Sequence, residues 1–336
     1  MYYIAFYDTK KLKIDIIRGN INMKKITILV PAYNEEQVIK KLYDRIIKVI
    51  DVIQNYDFEI LLVDDGSKDN TLNIIKYYRN IDKRISYINL SRNFGKEVAM
   101  VAGLDYSTGD AVVIMDADLQ DPPELIPKMI ELWEKGYDDI YAKRISRDGE
   151  TWFKMWSSKL YYKILQKVTR IQLQKDTGDF RLLDRRCVEA LKKLRETQRY
   201  TKGMFSWIGY NKKEILFNRD PRVAGKTKWN YLRLVDLAIE GITSFTTFPL
   251  RLSSFLGVMV SIFSFIYMAI VIVKTLAFGE KIQGYPSLMV VLLFLGGVQL
   301  ISMGIIGEYV GRIFNETKKR PLYFIDEYNN EKEKND

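Results

Sequence analysis

The chain has 336 residues, a net charge of +10, one cysteine and no histidine. One cysteine excludes an internal disulfide and fits a reducing compartment for the soluble part of the chain. The absence of histidine excludes the commonest acid–base side chain and any histidine-based metal site. The length allows a complete α/β domain and a smaller unit beside it.

The first 22 residues do not have the pattern of a signal peptide. Asp8 and Asp15 interrupt them, and they contain no continuous apolar core of suitable length. We expect residues 1–22 to be an extension that is either poorly ordered or precedes the natural start at Met23.

Four short apolar segments follow, and each ends in polar residues that lead into a helical pattern. They are residues 23–30, 58–63, 85–90 and 111–115. Strands that alternate with helices predict a parallel α/β sheet. Ligands of such sheets bind outside the carboxyl ends of the strands. We therefore expect the polar clusters to lie along one edge of the sheet.

The fourth segment ends in Asp116-Ala117-Asp118. Two carboxylates one residue apart can face one cleft if the strand ends there. Hard oxygen ligands of this kind suit Mg²⁺ or Mn²⁺ bound to a diphosphate. The triplet alone is equally consistent with a solvated turn, so its interpretation depends on the neighbouring segments.

Several motifs together resemble a known family. The nucleotide-sugar-binding motifs of inverting family 2 glycosyltransferases, which have the GT-A fold, resemble residues 31–35 (PAYNE), 63–67 (VDDGS) and 116–118 (DAD). Residues 92–97 (RNFGKE) and 116–124 (DADLQDPPE) narrow the resemblance to polyprenyl-phosphate glycosyltransferases. That group contains dolichol-phosphate mannose synthases and bacterial bactoprenol glucosyltransferases. The resemblance extends from about Met23 to about Arg320.

The resemblance assigns donor binding to residues that follow the first three strands. Those that match the first nucleotide-contacting loop are Pro31, Tyr33 and Glu35. Either Asp64 or Asp65 is expected to contact the nucleotide, and we favour Asp65 because we expect it to be exposed. Lys96 opens the third helix, where a phosphate or sugar oxygen can bind. A solvated basic turn is the alternative for Lys96.

The resemblance assigns a metal ion to the fourth loop. Its expected ligands are Asp116, Asp118 and Gln120, with Asp118 also counted as catalytic. The expected ion is Mg²⁺ or Mn²⁺, which would neutralise the leaving nucleoside diphosphate. We expect Asp121 and the following prolines to shape the loop and cap the next helix.

The acceptor side is expected to bind an isoprenoid phosphate. By resemblance, Arg144 at the end of a fifth strand and Ser157 lie near that phosphate, and Arg147, which follows Arg144 closely, is expected to bind it as well. Residues 152–168 mix aromatic and aliphatic side chains with lysines, which predicts an amphipathic helix on the bilayer surface. A helix packed in the core is the alternative.

Two further segments resemble functional loops of the family. Residues 176–181 match the acceptor-site loop, in which Asp179 is the candidate general base. Because the nucleophile is already a phosphate oxyanion, Asp179 could instead orient the acceptor or help to hold the ion. Residues 222–229 match a basic loop that closes over the diphosphate, with Arg222 and Lys228 as phosphate contacts. Asp220 stands where a Walker A motif needs its first glycine, which excludes a P-loop.

Two uncharged stretches near the C-terminus are long enough to cross a bilayer. We expect a catalytic domain at 23–228 and an interfacial segment at 229–250, which includes a helix at 231–243. A hairpin of two membrane-spanning helices is expected at 251–311. Its helices are expected at about 252–274 and 286–309. Buried core helices are the alternative. Residues 312–336 form a tail that we expect to be disordered from Asn329.

Charge predicts the orientation of the hairpin. Six basic residues lie in 219–251 and four in 312–320, whereas the connection holds only Lys274 and Lys281 against Glu280. The positive-inside rule therefore places both termini in the cytoplasm, as in a multi-pass protein of the inner membrane. The net positive charge fits an anionic leaflet, and no nucleic-acid motif is present.

These features predict an inverting hexosyltransferase that moves a sugar from a nucleotide donor, with UDP expected, to undecaprenyl phosphate. The family resemblance also implies a homo-oligomer. One alternative is a processive polysaccharide synthase, but the Gln-x-x-Arg-Trp signature of those enzymes is not matched at Gln198-Arg199-Tyr200. The other is a lipid-binding or translocating membrane protein without catalysis.

Overall fold

The computed structural model describes residues 23–145, 174, 177–218, 243–244, 246–278, 284–329 and 331–332. Several predictions lie outside these residues. They concern the extension 1–22, the helix at 152–168, almost all of the helix at 231–243, and the side chains of Arg147, Ser157, Arg222 and Lys228.

A mixed sheet of nine strands forms the centre of the part that the structure describes. Its strands are β1 (Lys25–Ala32), β2 (Asp57–Asp64), β3 (Ile85–Leu90), β4 (Ala111–Ile114), β5 (Asp139–Arg144), β6 (Thr177–Asp184), β7 (Lys212–Phe217), β8 (Ile325–Tyr328) and β9 (Glu331–Lys332). Their order across the sheet is β7-β5-β6-β4-β1-β2-β3-β8-β9. The central strands β4, β1, β2 and β3 are parallel, as predicted. β6 runs antiparallel to both β4 and β5.

Helices cover both faces of this sheet. They are α1 (Ile39–Ile50), α2 (Thr71–Ile81), α3 (Lys96–Tyr106), α4 (Ile126–Glu134), α5 (Arg185–Lys192) and α6 (Thr201–Trp207). Successive side chains of a strand point to opposite faces. Ile28 of β1 accordingly packs in one buried cluster with α1, α2 and α4. Leu29 packs in the other with α3, α5 and α6.

Two long apolar helices follow, α7 (Phe248–Phe278) and α8 (Tyr285–Thr317). The segments long and apolar enough to cross a membrane are Phe248–Lys274 and Val290–Thr317, with mean hydropathy of 2.6 and 2.2. Both segments are unburied, which excludes the alternative of buried core helices. α8 begins at Tyr285, close to the expected start at about 286, and its first turn accommodates Pro286, where no backbone donor is needed.

The tail after α8 returns to the sheet. β8 pairs antiparallel with β3, and β9 pairs with β8. The Tyr87 hydroxyl donates to Glu327 at 2.5 Å, and the Lys76 ammonium lies 2.5 Å from the same carboxylate. The expected disorder from Asn329 is therefore wrong for Glu331–Lys332, which form β9. Charged residues are common on edge strands, so composition alone did not reveal the pairing.

Candidate active site

A cavity of about 230 Å³ lies where the central strands end. The predicted site residues that line it are Pro31, Tyr33, Glu35, Asp65, Lys96, Asp116 and Asp118. The expected clustering of polar loops at the carboxyl edge of the sheet is therefore observed.

The loops after β1, β2 and β3 are held close together by direct contacts. The Asn34 N–H donates to the Ser67 hydroxyl at 2.9 Å, and the Lys68 N–H donates to Asn34 Oδ1 at 2.8 Å. Gly66 has a φ of +65°, and a Cβ at this position would lie 2.5 Å from the backbone carbonyl carbon of Arg92. A side chain at Gly66 would therefore separate the second loop from the third.

Two carboxylates at the end of β2 have different surroundings. Both are buried, with Asp64 1% and Asp65 2% exposed, so the expected exposure of Asp65 is wrong. Asp65 accepts hydrogen bonds from the Phe94 and Gly95 N–H groups at 2.7 and 2.9 Å, and burial raises its pKa. Asp64 accepts from the Ser67 N–H at 3.0 Å. Asp65 therefore lines the cavity and joins two loops, whereas Asp64 closes its own turn.

The loop after β4 is strained and internally hydrogen-bonded. Leu119 is buried with a φ of +61°, a region that bulky residues rarely adopt. The Gln120 N–H donates to Asp118 Oδ1, and the Asp116 N–H donates to Asp121 Oδ2, both at 3.2 Å. Burial and the charge of Asp116 raise the pKa of Asp121 to about 7. Asp121 therefore shapes the loop, as expected. The expected cap by Asp121 is wrong, because neither the short helix Pro123–Leu125 nor α4 begins with a side-chain cap.

Strand pairing places Asp179 opposite Asp116. In the antiparallel register Ile114 faces Arg181, so Asp116, two residues after Ile114, lies opposite Asp179, two residues before Arg181. The resemblance indicated a loop here, but Asp179 lies within β6. The Lys96 ammonium lies between them, 2.6 Å from Asp116 Oδ1 and 2.5 Å from Asp179 Oδ2. Two carboxylates therefore converge on one cation at the rim of the cavity.

The protonation of Asp179 is controlled by its neighbours. Burial alone would raise its pKa, but the charges of Lys96 and Lys202 outweigh burial and lower the pKa to about 2. A carboxylate with so low a pKa is a weak proton acceptor near neutral pH. This favours the orienting role over the role of general base.

A buried ion pair next to the site was missed in the sequence. Arg181 and Asp139 are both fully buried, and Arg181 Nη1 lies 3.1 Å from Asp139 Oδ2. The Arg181 guanidinium also lies over the ring of Phe205, 3.7 Å from its centroid. This pair joins β5, β6 and α6 behind Asp179, and breaking such a pair is costly. In the sequence, the sign of this buried pair is a charged residue, Arg181, between the apolar residues Phe180 and Leu182.

Two further cations lie near Asp179. Arg144 ends β5, and its Nη2 lies 3.7 Å from the position of a Cβ on Gly178. This places Arg144 beside the start of β6. Lys202 of α6 has electrostatic interactions with Asp179 and Arg144. No sequence motif singled out Lys202, because only the fold brings α6 to this position.

Two family descriptions cover most of the chain. Residues 27–192 match the family described as glycosyl transferase family 2. Residues 248–313, which include most of α7 and α8, match the GtrB C-terminal hairpin. The predicted hairpin is therefore confirmed, and it associates the protein with a membrane.

Several relatives are similar over nearly their whole length. An uncharacterized glycosyltransferase of Synechocystis sp. is 48% identical over 90% of this chain and 94% of its own. The bactoprenol glucosyl transferase of Shigella phage SfX is 44% identical, over 90% of this chain and 98% of its own. The prophage bactoprenol glucosyl transferase homolog of Escherichia coli K12 has the same identity and coverage.

One solved structure with a similar fold is glucosyl-3-phosphoglycerate synthase from Mycobacterium tuberculosis, in complex with Mn²⁺, UDP-glucose and phosphoglyceric acid. It is 18% identical with a TM-score of 0.44, over 66% of this chain and 78% of its own. Both values are too low for that complex to bear on the chemistry of this chain. The relatives and the matched domain are sufficient, and the chain therefore belongs to glycosyltransferase family 2, with the GT-A fold that its motifs predicted.

Proposed function

We propose that this protein transfers a hexose, with glucose as the first candidate, from a UDP-sugar to undecaprenyl phosphate at the cytoplasmic face of the membrane. The observation that carries the proposal is the convergence of Asp116, Asp179 and Lys96 at the rim of the donor cavity. The apolar hairpin would keep the site beside a lipid acceptor. The relatives named bactoprenol glucosyl transferase support the choice of acceptor and sugar.

Donor binding would use the cavity between the loops after β1, β2 and β4. Tyr33, Glu35 and Asp65 line the end that would hold the nucleotide. Pro31 also lines this cavity, whereas the expected roles of Arg222 and Lys228 in phosphate binding concern residues outside the described part.

We propose that the fourth loop would hold a divalent cation. Asp116, Asp118 and Gln120 offer the hard oxygen ligands that Mg²⁺ or Mn²⁺ prefers. Asp116 also contacts the Lys96 ammonium, so a bound ion would share this carboxylate with Lys96. A bound ion would neutralise negative charge on the leaving nucleoside diphosphate.

The acceptor would attack from the side of β5 and β6. The second pKa of the acceptor's phosphate is about 6. At neutral pH a phosphate oxygen therefore needs no deprotonation before it attacks. A bond forms between that oxygen and the anomeric carbon while the bond to the nucleoside diphosphate breaks on the opposite face, which inverts the anomeric centre. Asp179, which is ionised, would orient the acceptor through the Lys96 ammonium that it contacts, and Arg144 would bind the phosphate with Arg147 and Ser157.

Both alternatives are less well supported. Residues 198–200, the nearest match to the signature of processive synthases, stabilise their own loop. Arg199 Nη1 donates to the Leu194 carbonyl oxygen at 2.7 Å. A lipid-binding protein without catalysis would not need carboxylates that converge at a cavity. Each alternative predicts a different outcome of one assay: a polymer for the synthase, and no transferred sugar for the lipid-binding protein.

The assay combines purified protein, undecaprenyl phosphate, Mg²⁺ or Mn²⁺ and a panel of radiolabelled nucleotide sugars. We expect one donor, UDP-glucose first, to yield a monophosphate-linked lipid sugar whose anomeric configuration is opposite to that of the donor. N-acetylglucosamine, mannose and amino-arabinose donors complete the panel. A polymer would favour the processive synthase, and lipid binding without transfer from any donor would favour the non-catalytic protein.

We also propose that both termini lie in the cytoplasm and that α7 and α8 support a homo-oligomer. A reporter fused after Asp336 is expected to be protected in intact cells, and Gly279→Cys is expected to react with an external thiol reagent. The native Cys187 gives little background, because it is fully buried and burial raises its pKa. Labelling of the C-terminal reporter from outside would contradict this topology.

A further inference from the structure

α6 brings a lysine to Asp179 from outside the donor cavity. The N–H of Thr201 approaches Glu97 Oε2 of α3 at 3.4 Å, and Phe205, one turn later, packs under Arg181 of β6. Lys202 lies between these two contacts, and its electrostatic partners are Asp179, Lys96, Arg144 and Arg181. The helix therefore holds Lys202 beside the first residues of β6.

The positive charges around Asp179 are unequally neutralised. Arg181 is paired with the buried Asp139, and Lys96 is paired with two carboxylates. Lys202 is partly buried, and no hydrogen bond or ion pair within 4 Å is found for it in the part of the chain that the structure describes. Burying a charge without a partner is costly, so an anionic ligand would stabilise the Lys202 ammonium.

The position of Lys202 indicates which ligand this is. Lys96 and Asp116 line the donor cavity, whereas Asp179, Arg144 and Lys202 do not. Lys96 therefore joins the cavity wall, through Asp116, to Asp179 outside it. A phosphate bound by Lys202 would lie on the acceptor side of Asp179.

We propose that Lys202 binds an oxygen of the acceptor phosphate together with Arg144, and so positions the nucleophile beside Asp179. This inference rests on the proposed function. The same phosphate chemistry could come from the donor diphosphate, which the experiment must separate from the lipid phosphate. The ammonium adds one charge-assisted hydrogen bond, of the kind that is stronger than a neutral one.

The test is steady-state kinetics of Lys202→Met and Lys202→Arg with UDP-glucose and undecaprenyl phosphate in detergent micelles. Loss of one charged hydrogen bond is expected to raise the KM for the lipid roughly ten- to a hundredfold. The KM for UDP-glucose should stay within about twofold, because the donor cavity is unchanged. Lys202→Arg keeps the charge and should recover most of the lipid affinity.

Two comparison variants calibrate the result. Arg144→Ala should also raise the KM for the lipid. Lys192→Met removes the same charge from the surface of α5, where Lys192 pairs with Glu189 at 3.1 Å, and should leave both constants unchanged. Thermal unfolding of each variant reports its stability. If Lys202→Met does not fold, Lys202→Gln, which keeps a polar side chain, replaces it.

Equilibrium binding of radiolabelled undecaprenyl phosphate, without donor, separates this inference from the proposed function. Wild-type protein that binds the lipid but transfers no sugar would refute the function, and loss of binding in Lys202→Met would still support the inference. An increase only in the KM for UDP-glucose would assign Lys202 to the donor and overturn the inference. Unchanged lipid binding in Lys202→Met, or none in the wild type, would also overturn it.

Discussion

Asp118→Asn is expected to reduce sugar transfer roughly a hundredfold or more, because a metal ion supplies several kcal/mol of charge stabilisation at the leaving group. The amide keeps the size of the side chain and an oxygen that can accept from the Gln120 N–H, as Asp118 does at 3.2 Å. The loop should therefore keep its shape, and only the negative charge is lost. Transfer is measured with Mg²⁺, with Mn²⁺, and with excess chelator.

Chelation should abolish transfer by the wild type, and either ion should restore it. Binding of Mn²⁺, followed by electron paramagnetic resonance, should weaken in Asp118→Asn and gives a readout that does not depend on turnover. Asp57→Asn is the matched control, because Asp57 is exposed at the start of β2, away from the cavity. Full turnover in the presence of excess chelator would exclude the role of the metal.

Asp179→Asn is expected to lower kcat/KM for the lipid acceptor roughly tenfold or more, because the acceptor phosphate loses its orientation beside Lys96. If Asp179 orients the acceptor, the loss should appear in the acceptor KM. It should stay constant from about pH 7 upwards, because the phosphate titrates near pH 6. The Asp179 carboxyl is ionised throughout this range, since its lowered pKa is about 2.

A general base would give a different pH profile. The loss would then appear in kcat with little change in either KM, and it would shrink as pH rises and the acceptor becomes fully dianionic. Unimpaired kinetics of Asp179→Asn at every pH would remove Asp179 from the site. Asp179→Glu, which keeps the charge and lengthens the side chain, tests whether position matters as well as charge.

Local patterns in the sequence predicted the features that depend on neighbouring residues. The apolar segments that became β1 to β4 and the polar residues after them required only strand periodicity and the rule for parallel sheets. The Asp116-Ala117-Asp118 triplet was identified for the same reason. Composition likewise identified α7 and α8, since length and hydropathy define such helices without tertiary contacts.

Features that depend on residues distant in the sequence could not be predicted from local patterns. The position of Asp179 opposite Asp116 follows from the β4–β6 register, and Lys202 reaches the site only through the packing of α6. Asp65 was expected to be exposed because aspartates usually are, but the Phe94 and Gly95 N–H groups make its burial possible. None of these contacts has a local signature.

Because β8 follows the apolar hairpin in the chain, the edge of β3 stays open during synthesis until α8 has left the ribosome. Until then Tyr87 and Lys76 lack the Glu327 carboxylate that they share. An open edge is a template for pairing with other chains. We therefore expect the soluble domain, expressed without its hairpin and tail, to aggregate. The sheet is therefore completed only by residues that follow the hairpin in the chain.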